Sequence, residues 1–276
     1  MLILTTYSCN TVEKSSEESQ TEINQEERQR FFQIPAPTEL FELLRSEGVK
    51  PTKVVTLNPV ANIVKYSDSE SKALNFGVYT TNLLFLSVFN QKSEVLKYFE
   101  NLKQLAEDLG IDNVINESTM SRIEKNLNNA DSLDVITNYV FFEASENLES
   151  QDKQDILSLV IAGSWIEGVF MAAKMIEKFS ANSEIAQRIA EQKFSLENLL
   201  EYFEFASNRN SISKTKAQLE ALMPLFNAIA EIDVNDQVAA NSQTVIGSST
   251  RLSITEDQFQ KISAQIELIR NQITKN

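Results

Sequence analysis

The chain of 276 residues has no histidine, one cysteine, six glycines and five prolines. Each shortage excludes something. Without histidine there is no Ser-His-Asp or Cys-His nucleophilic machinery, no His-ligated zinc and no Glu-x-x-His di-iron site. With one cysteine there is no intramolecular disulfide, so packing alone must hold the fold. Glycine and proline together make about 4% of the chain, against roughly 12% in an average protein. Sandwiches, barrels and propellers need turn signals about every ten residues, so a helical chain with few tight turns remains. Positive charge is scarce too: 25 Lys and Arg face 39 Asp and Glu, for a net charge of −14. Binding a phosphate backbone needs clustered cations, so no nucleic-acid partner is expected.

Apolar residues make up 42% of the chain, enough for one sizeable core. The lone Cys9 follows the apolar opening Met1-Leu2-Ile3-Leu4 and the small residues Thr5, Thr6 and Ser8. A polar run with Glu13, Glu17, Glu18, Glu22, Glu26 and Glu27 comes next. This pattern resembles the end of a bacterial lipoprotein signal, in which the cysteine is acylated and becomes the first mature residue. Thr6 stands where such signals carry Leu, and only eight residues precede Cys9, none of them basic. A signal peptide has a charged n-region and a longer apolar stretch, so further residues are expected upstream. Residues 1–9 read as the remnant of that signal, with Cys9 as the lipidation site. Residues 10–33 are too polar to offset their ordering entropy by burial, and read as an acidic tether.

Residues 34–276 read as one helical domain. Thr38 is placed to cap a helix over 39–47, with Gly48 just past its end. Asn58-Pro59 opens a short helix to about Lys65, and Ser67-Asp68-Ser69-Glu70 is a capping box for a long helix to about Phe89. Residues 92–109 carry Val95, Phe99, Leu102, Ala106 and Leu109 at helical spacing before Gly110. Ser121 and Asp131 open two more helices, the second turning Leu133, Ile136, Val140, Phe141, Ala144 and Leu148 inward. Helices follow over 154–179, 183–205 and 213–232, the last kinked at Pro224. A short extended piece is expected around 251–254. Thr255 and Gln258 then form a capping box for a final helix with the stripe Phe259, Ile262, Ile266, Ile269 and Ile273. The fold class is therefore all-α, an irregular hairpin-paired bundle of roughly nine helices, with no 34-residue recurrence to make it a solenoid.

Four segments carry a further likeness: Pro35-Ala36-Pro37-Thr38-Glu39, Leu57-Asn58-Pro59-Val60, Lys72-Ala73-Leu74-Asn75-Phe76-Gly77-Val78-Tyr79 and Gly163-Ser164-Trp165-Ile166-Glu167-Gly168. These resemble uncharacterised helical lipoproteins of Bacteroidota across residues 34–276. The resemblance implies an envelope location and a helical fold, and carries no activity or catalytic residues.

Residues 156–173 contain a single charge, Glu167. A central charge is costly in a bilayer, so a buried core helix is expected rather than a membrane span. Gly163 and Gly168 each cost about 1 kcal/mol of helix propensity relative to Ala. They mark either close helix approach or a groove beside Trp165. Glu167 should be buried and hydrogen-bonded, with Arg188 or Lys193 from the following helix as its expected donor and Lys174 at the edge of reach. Glu197, Glu201 and Glu204 share one helix face and read as a solvated acidic surface. No metal spacing, phosphate loop or dinucleotide fingerprint is present, so no metal or cofactor is expected. The functional expectation is a non-enzymatic, lipid-anchored envelope protein, in the outer membrane and facing the periplasm. It would bind a partner protein or a small hydrophobic molecule and touch the membrane only through its anchor. The alternative is a carboxylate-dependent hydrolase of envelope glycans, with Glu as acid or nucleophile.

Overall fold

The computed structural model describes residues 37–51, 55–91, 94–206, 209–233 and 250–275. Cys9 and the 10–33 tether lie outside them. The regular structure of the described chain is almost all helix, as the composition implies. Its helices are α1 (Pro37–Ser46), α2 (Ser69–Val88), α3 (Val95–Leu109), α4 (Glu117–Asn126), α5 (Ala130–Ser150) and α6 (Gln154–Met175). There follow α7 (Glu184–Ala190), α8 (Gln192–Phe203), α9 (Arg209–Glu220), α10 (Met223–Asn227) and α11 (Glu256–Lys275). Residues Val60–Lys65 form a 3-10 turn.

Two helices make the centre. Every residue from Ala73 to Val88 on α2 is buried, and so is every residue from Leu157 to Ala173 on α6. They run side by side in the same direction, with α3 and α5 packed on α2, and α8, α9 and α11 packed on α6. By length and composition α6 is the one described helix that could cross a membrane. Its burial inside the bundle accounts for the apolar run instead, as expected from Glu167 at its middle.

With so few glycines, the chain ends helices by other means as well. Four helices close on the same pair of backbone bonds, from the residue after the cap and the next one back into the last turn. In α1 these are Gly48 N–H to Arg45 O and Val49 N–H to Leu44 O, and in α3 Gly110 to Glu107 and Ile111 to Ala106. Asn90 and Asp152 take the same left-handed position, at φ 54° and 55°, after α2 and α5. Asn and Asp tolerate that region better than other side chains do, so α2 stops at Val88, next to the expected Phe89, without a glycine.

Several helix starts differ from expectation. Thr38 lies inside α1, and its hydroxyl donates to Asn138 Oδ1 at 3.4 Å. Asp68 caps α2, accepting from Ser71 N–H at 2.7 Å. Asn116 caps α4 five residues ahead of Ser121, and Asn129 caps α5. The 183–205 helix breaks at Glu191 into α7 and α8. The 213–232 helix breaks before Pro224, and its tail becomes strand β1 (Ala230–Asp233), paired antiparallel with β2 (Thr250–Ser253). Proline removes the N–H that would continue the helix, and residues 230–233 take their backbone partners from β2 instead. At α11 the expected box is present: Gln258 N–H donates to Thr255 Oγ1 at 3.3 Å, and Thr255 N–H to Gln258 Oε1 at 2.9 Å. Its five-residue stripe is fully buried.

Candidate functional site

The site expected from the sequence lies where α2 crosses α6. A Cβ built on Gly163 would stand 2.0 Å from the Leu74 carbonyl oxygen, and one on Gly77 would stand 2.0 Å from that of Val160. The two backbones therefore touch, and only glycine allows it. Thr81 and Ser164 hydroxyls meet beside them at 2.8 Å. Gly168 faces α1, where a Cβ would approach Pro37 Cβ at 3.1 Å. Close packing thus accounts for Gly163 and Gly168. Trp165 is 3% exposed and donates its indole N–H to Gln192 Oε1 at 3.0 Å. The hollow between Trp165, Gly168 and Pro37 measures about 20 Å³, room for about one water molecule.

Glu167 has no solvent exposure. Its Oε1 accepts from Asn82 Nδ2 at 2.7 Å and from Arg270 Nη2 at 3.2 Å, and its Oε2 accepts from Arg270 Nε at 2.9 Å. Arg270, 6% exposed, also donates to Thr56 O at 3.0 Å and lies 4.7 Å from the Phe170 ring centroid. Burial works against its charge, but the Glu167 carboxylate outweighs this and holds the guanidinium above its ordinary pKa. The expected donors are engaged elsewhere: Arg188 with Glu191, Lys193 with Glu231, and Lys174 with Glu267. The reason is topological, because α11 and not α8 brings a cation over the middle of α6.

A buried polar network continues from this pair. Asn82 Oδ1 accepts from Asn58 N–H at 2.9 Å, and Asn58 Nδ2 donates to Tyr66 Oη and Asn75 Oδ1. Asn75 Nδ2 reaches Ile273 O at 2.8 Å, and the Tyr66 hydroxyl donates to Thr274 O at 3.2 Å. Tyr79 and Tyr98 donate to Pro59 O and Asn58 O. Burial raises the hydroxyl pKa of all three tyrosines. The network joins the segment before α2 to the end of α11 across the core. It leaves Glu167 with no face open to a substrate.

Comparisons with protein-family models, curated proteins and solved structures return no match. The site must therefore be argued from geometry alone.

The open surface worth considering lies at the C-terminal end of α6. A groove of about 450 Å³ runs between the end of α1, the end of α6 and the start of α7, lined by Val49, Met175, Ile176 and Ile185 among others. It meets a second hollow of about 270 Å³ at Ile176 and Glu177, where Phe170, Ala173 and Phe259 form the floor. Phe259 is held in place by stacking on Phe179, with centroids 5.1 Å apart. Lys50 and Lys178 stand exposed along the first groove, Lys174 lines the second, and Glu177 is the one acid in either lining. Ser263 Oγ lines the second hollow, buried and without a hydrogen-bond partner among the described residues. Elsewhere the Glu197, Glu201 and Glu204 face meets Lys216, which bonds Glu204. Among the described residues no group of three acidic, cysteine or histidine side chains is placed to hold a metal.

Proposed function

We propose that this protein is a non-enzymatic, lipid-anchored envelope module, held by Cys9 to the outer membrane and facing the periplasm. Its ligand is a small hydrophobic molecule with an acidic head group, bound in the groove at the end of α6. The observation that carries this reading is the pairing of an apolar floor with lysines in a chain of net charge −14. The first hollow alone falls within the volume range of ligand sites, which are mostly apolar with a few placed polar groups. Ile176 and Phe259 would take the tail, and Lys50 and Lys178 would face the head. The Bacteroidota lipoprotein resemblance and the lone Cys9 supply the envelope half of the proposal. The hydrolase alternative receives no support from Glu167, whose carboxylate is sealed in the core.

Titration with dansylaminoundecanoic acid tests the reading. Wild type should bind it saturably at micromolar concentration. Lys50→Glu/Lys178→Glu should weaken the acid at least tenfold, about 1.4 kcal/mol, and leave its methyl ester unchanged. Ile176→Asp should weaken both. Absence of saturable binding, or equal affinity for acid and ester in every variant, would overturn it.

A further inference from the structure

Helix α5 carries an apolar stripe that faces solvent. Val135, Tyr139 and Phe142 are 61%, 42% and 42% exposed, and their i, i+4, i+7 spacing puts them on one face. The charges beyond the stripe have one sign: the second half of α5 bears Glu143, Glu146 and Glu149 and no cation. Beside the first half, Asp134 Oδ1 is buried with no hydrogen-bond partner among the described residues.

The direction of α1 decides what lies next to this face. Thr38 bonds Asn138, while Glu42 and Arg45 are the α1 charges felt by Asp134. The first helix therefore runs antiparallel to α5. The described chain begins at Pro37, beside Asn138, and the line of α1 projected back from there points toward Phe142 and the glutamates. That upstream chain reads Arg28-Gln29-Arg30-Phe31-Phe32-Gln33-Ile34, two cations followed by three bulky apolar residues. At about 3.3 Å per extended residue, the ten residues from Thr38 back to Arg28 span up to about 33 Å. The distance along α5 from Asn138 to Glu149 is about 16 Å at 1.5 Å per residue. Pro35 and Pro37 favour the extended backbone this needs.

We propose that residues 28–34 dock on the exposed face of α5. Phe31, Phe32 and Ile34 cover Tyr139 and Phe142, the part of the stripe beyond Asn138, and Arg28 and Arg30 meet the glutamates of its second half. The docked segment joins the end of the 10–33 tether to Ile34 of the domain. The free link to Cys9 is then shorter, and it leaves the domain at the C-terminal end of α5, which fixes the side of the bundle turned toward the anchor.

Limited trypsinolysis of the full chain tests this, with each cleavage rate normalised to a free peptide of residues 10–36. Lys14 should be cut at the peptide's rate, and Arg28 and Arg30 at least tenfold more slowly. Phe31→Ser/Phe32→Ser should abolish the protection, and so should Tyr139→Ser/Phe142→Ser on the helix side. Circular dichroism melts of both variants should show the bundle intact. Cleavage of wild-type Arg30 at the peptide's rate would overturn the proposal. So would protection that survives both variants, or that appears only at high concentration with a doubled mass by light scattering, which would assign the face to a second copy of the chain.

Discussion

Replacing Glu167 by Gln keeps the shape of the side chain and removes its charge. Two charge-assisted bonds to Arg270, at 2.9 and 3.2 Å, are lost, and an amide N–H₂ can turn toward a guanidinium that only donates. Arg270 keeps Thr56 O and the Phe170 ring, but neither neutralises a cation that is 6% exposed. Leaving one member of a buried pair uncompensated costs about 3–5 kcal/mol. For a domain of this size that lowers Tm by roughly 6–20 °C. The double variant Glu167→Met/Arg270→Met removes both charges and keeps apolar bulk. Such replacements are often close to neutral, though Asn82 and the Thr56 carbonyl would each lose a partner, at about 1–3 kcal/mol apiece. Urea unfolding followed by circular dichroism at 222 nm, with all variants at pH 7, measures each term. The double variant should be less destabilised than the sum of Glu167→Met and Arg270→Met. A Glu167→Gln loss below about 1 kcal/mol, or strict additivity, would refute the reasoning.

Gly163→Ala should cost about 3 kcal/mol or more, because the Leu74 carbonyl is backbone and cannot step aside cheaply; a melt within 2 °C of wild type would contradict the contact. Stability should fall as pH rises above about 10. Tyr66, Tyr79 and Tyr98 have raised folded-state pKa values, so the unfolded chain releases their protons first. Tyrosinate absorbance near 295 nm should then rise for these residues together with unfolding, and a gradual rise in the folded state would contradict the network. In a host that supplies the full signal, a fatty-acid analogue should label wild type and spare Cys9→Ser; equal labelling would remove the anchor.

The central helices were legible because burial on all sides leaves a near-continuous apolar sequence, and α11 because its stripe and capping box agree. Glu167 was legible as a buried charge for the same reason. Its partner was not, although a signal existed. Arg270 lies four residues after Ile266 and three before Ile273, on the apolar face of α11, where a cation has no reason to sit unless paired. Asn75 and Asn82, seven residues apart on the buried stretch of α2, were a similar sign of the polar network. The extra breaks had subtler causes. The strand at 230–233 depends on a partner twenty residues on, which helical periodicity cannot report. The groove was illegible altogether, since Ile176 comes beside Val49 in one hollow and beside Phe259 in the next only after the bundle closes.

The most direct test of the binding proposal is photolabelling with a diazirine-bearing fatty acid, mapped by peptide mass spectrometry on the full chain. Label should fall on peptides containing Ile176 and Phe259, and be displaced by excess unlabelled acid. Label spread over the surface, or concentrated elsewhere and indifferent to competitor, would contradict a ligand site at the end of α6.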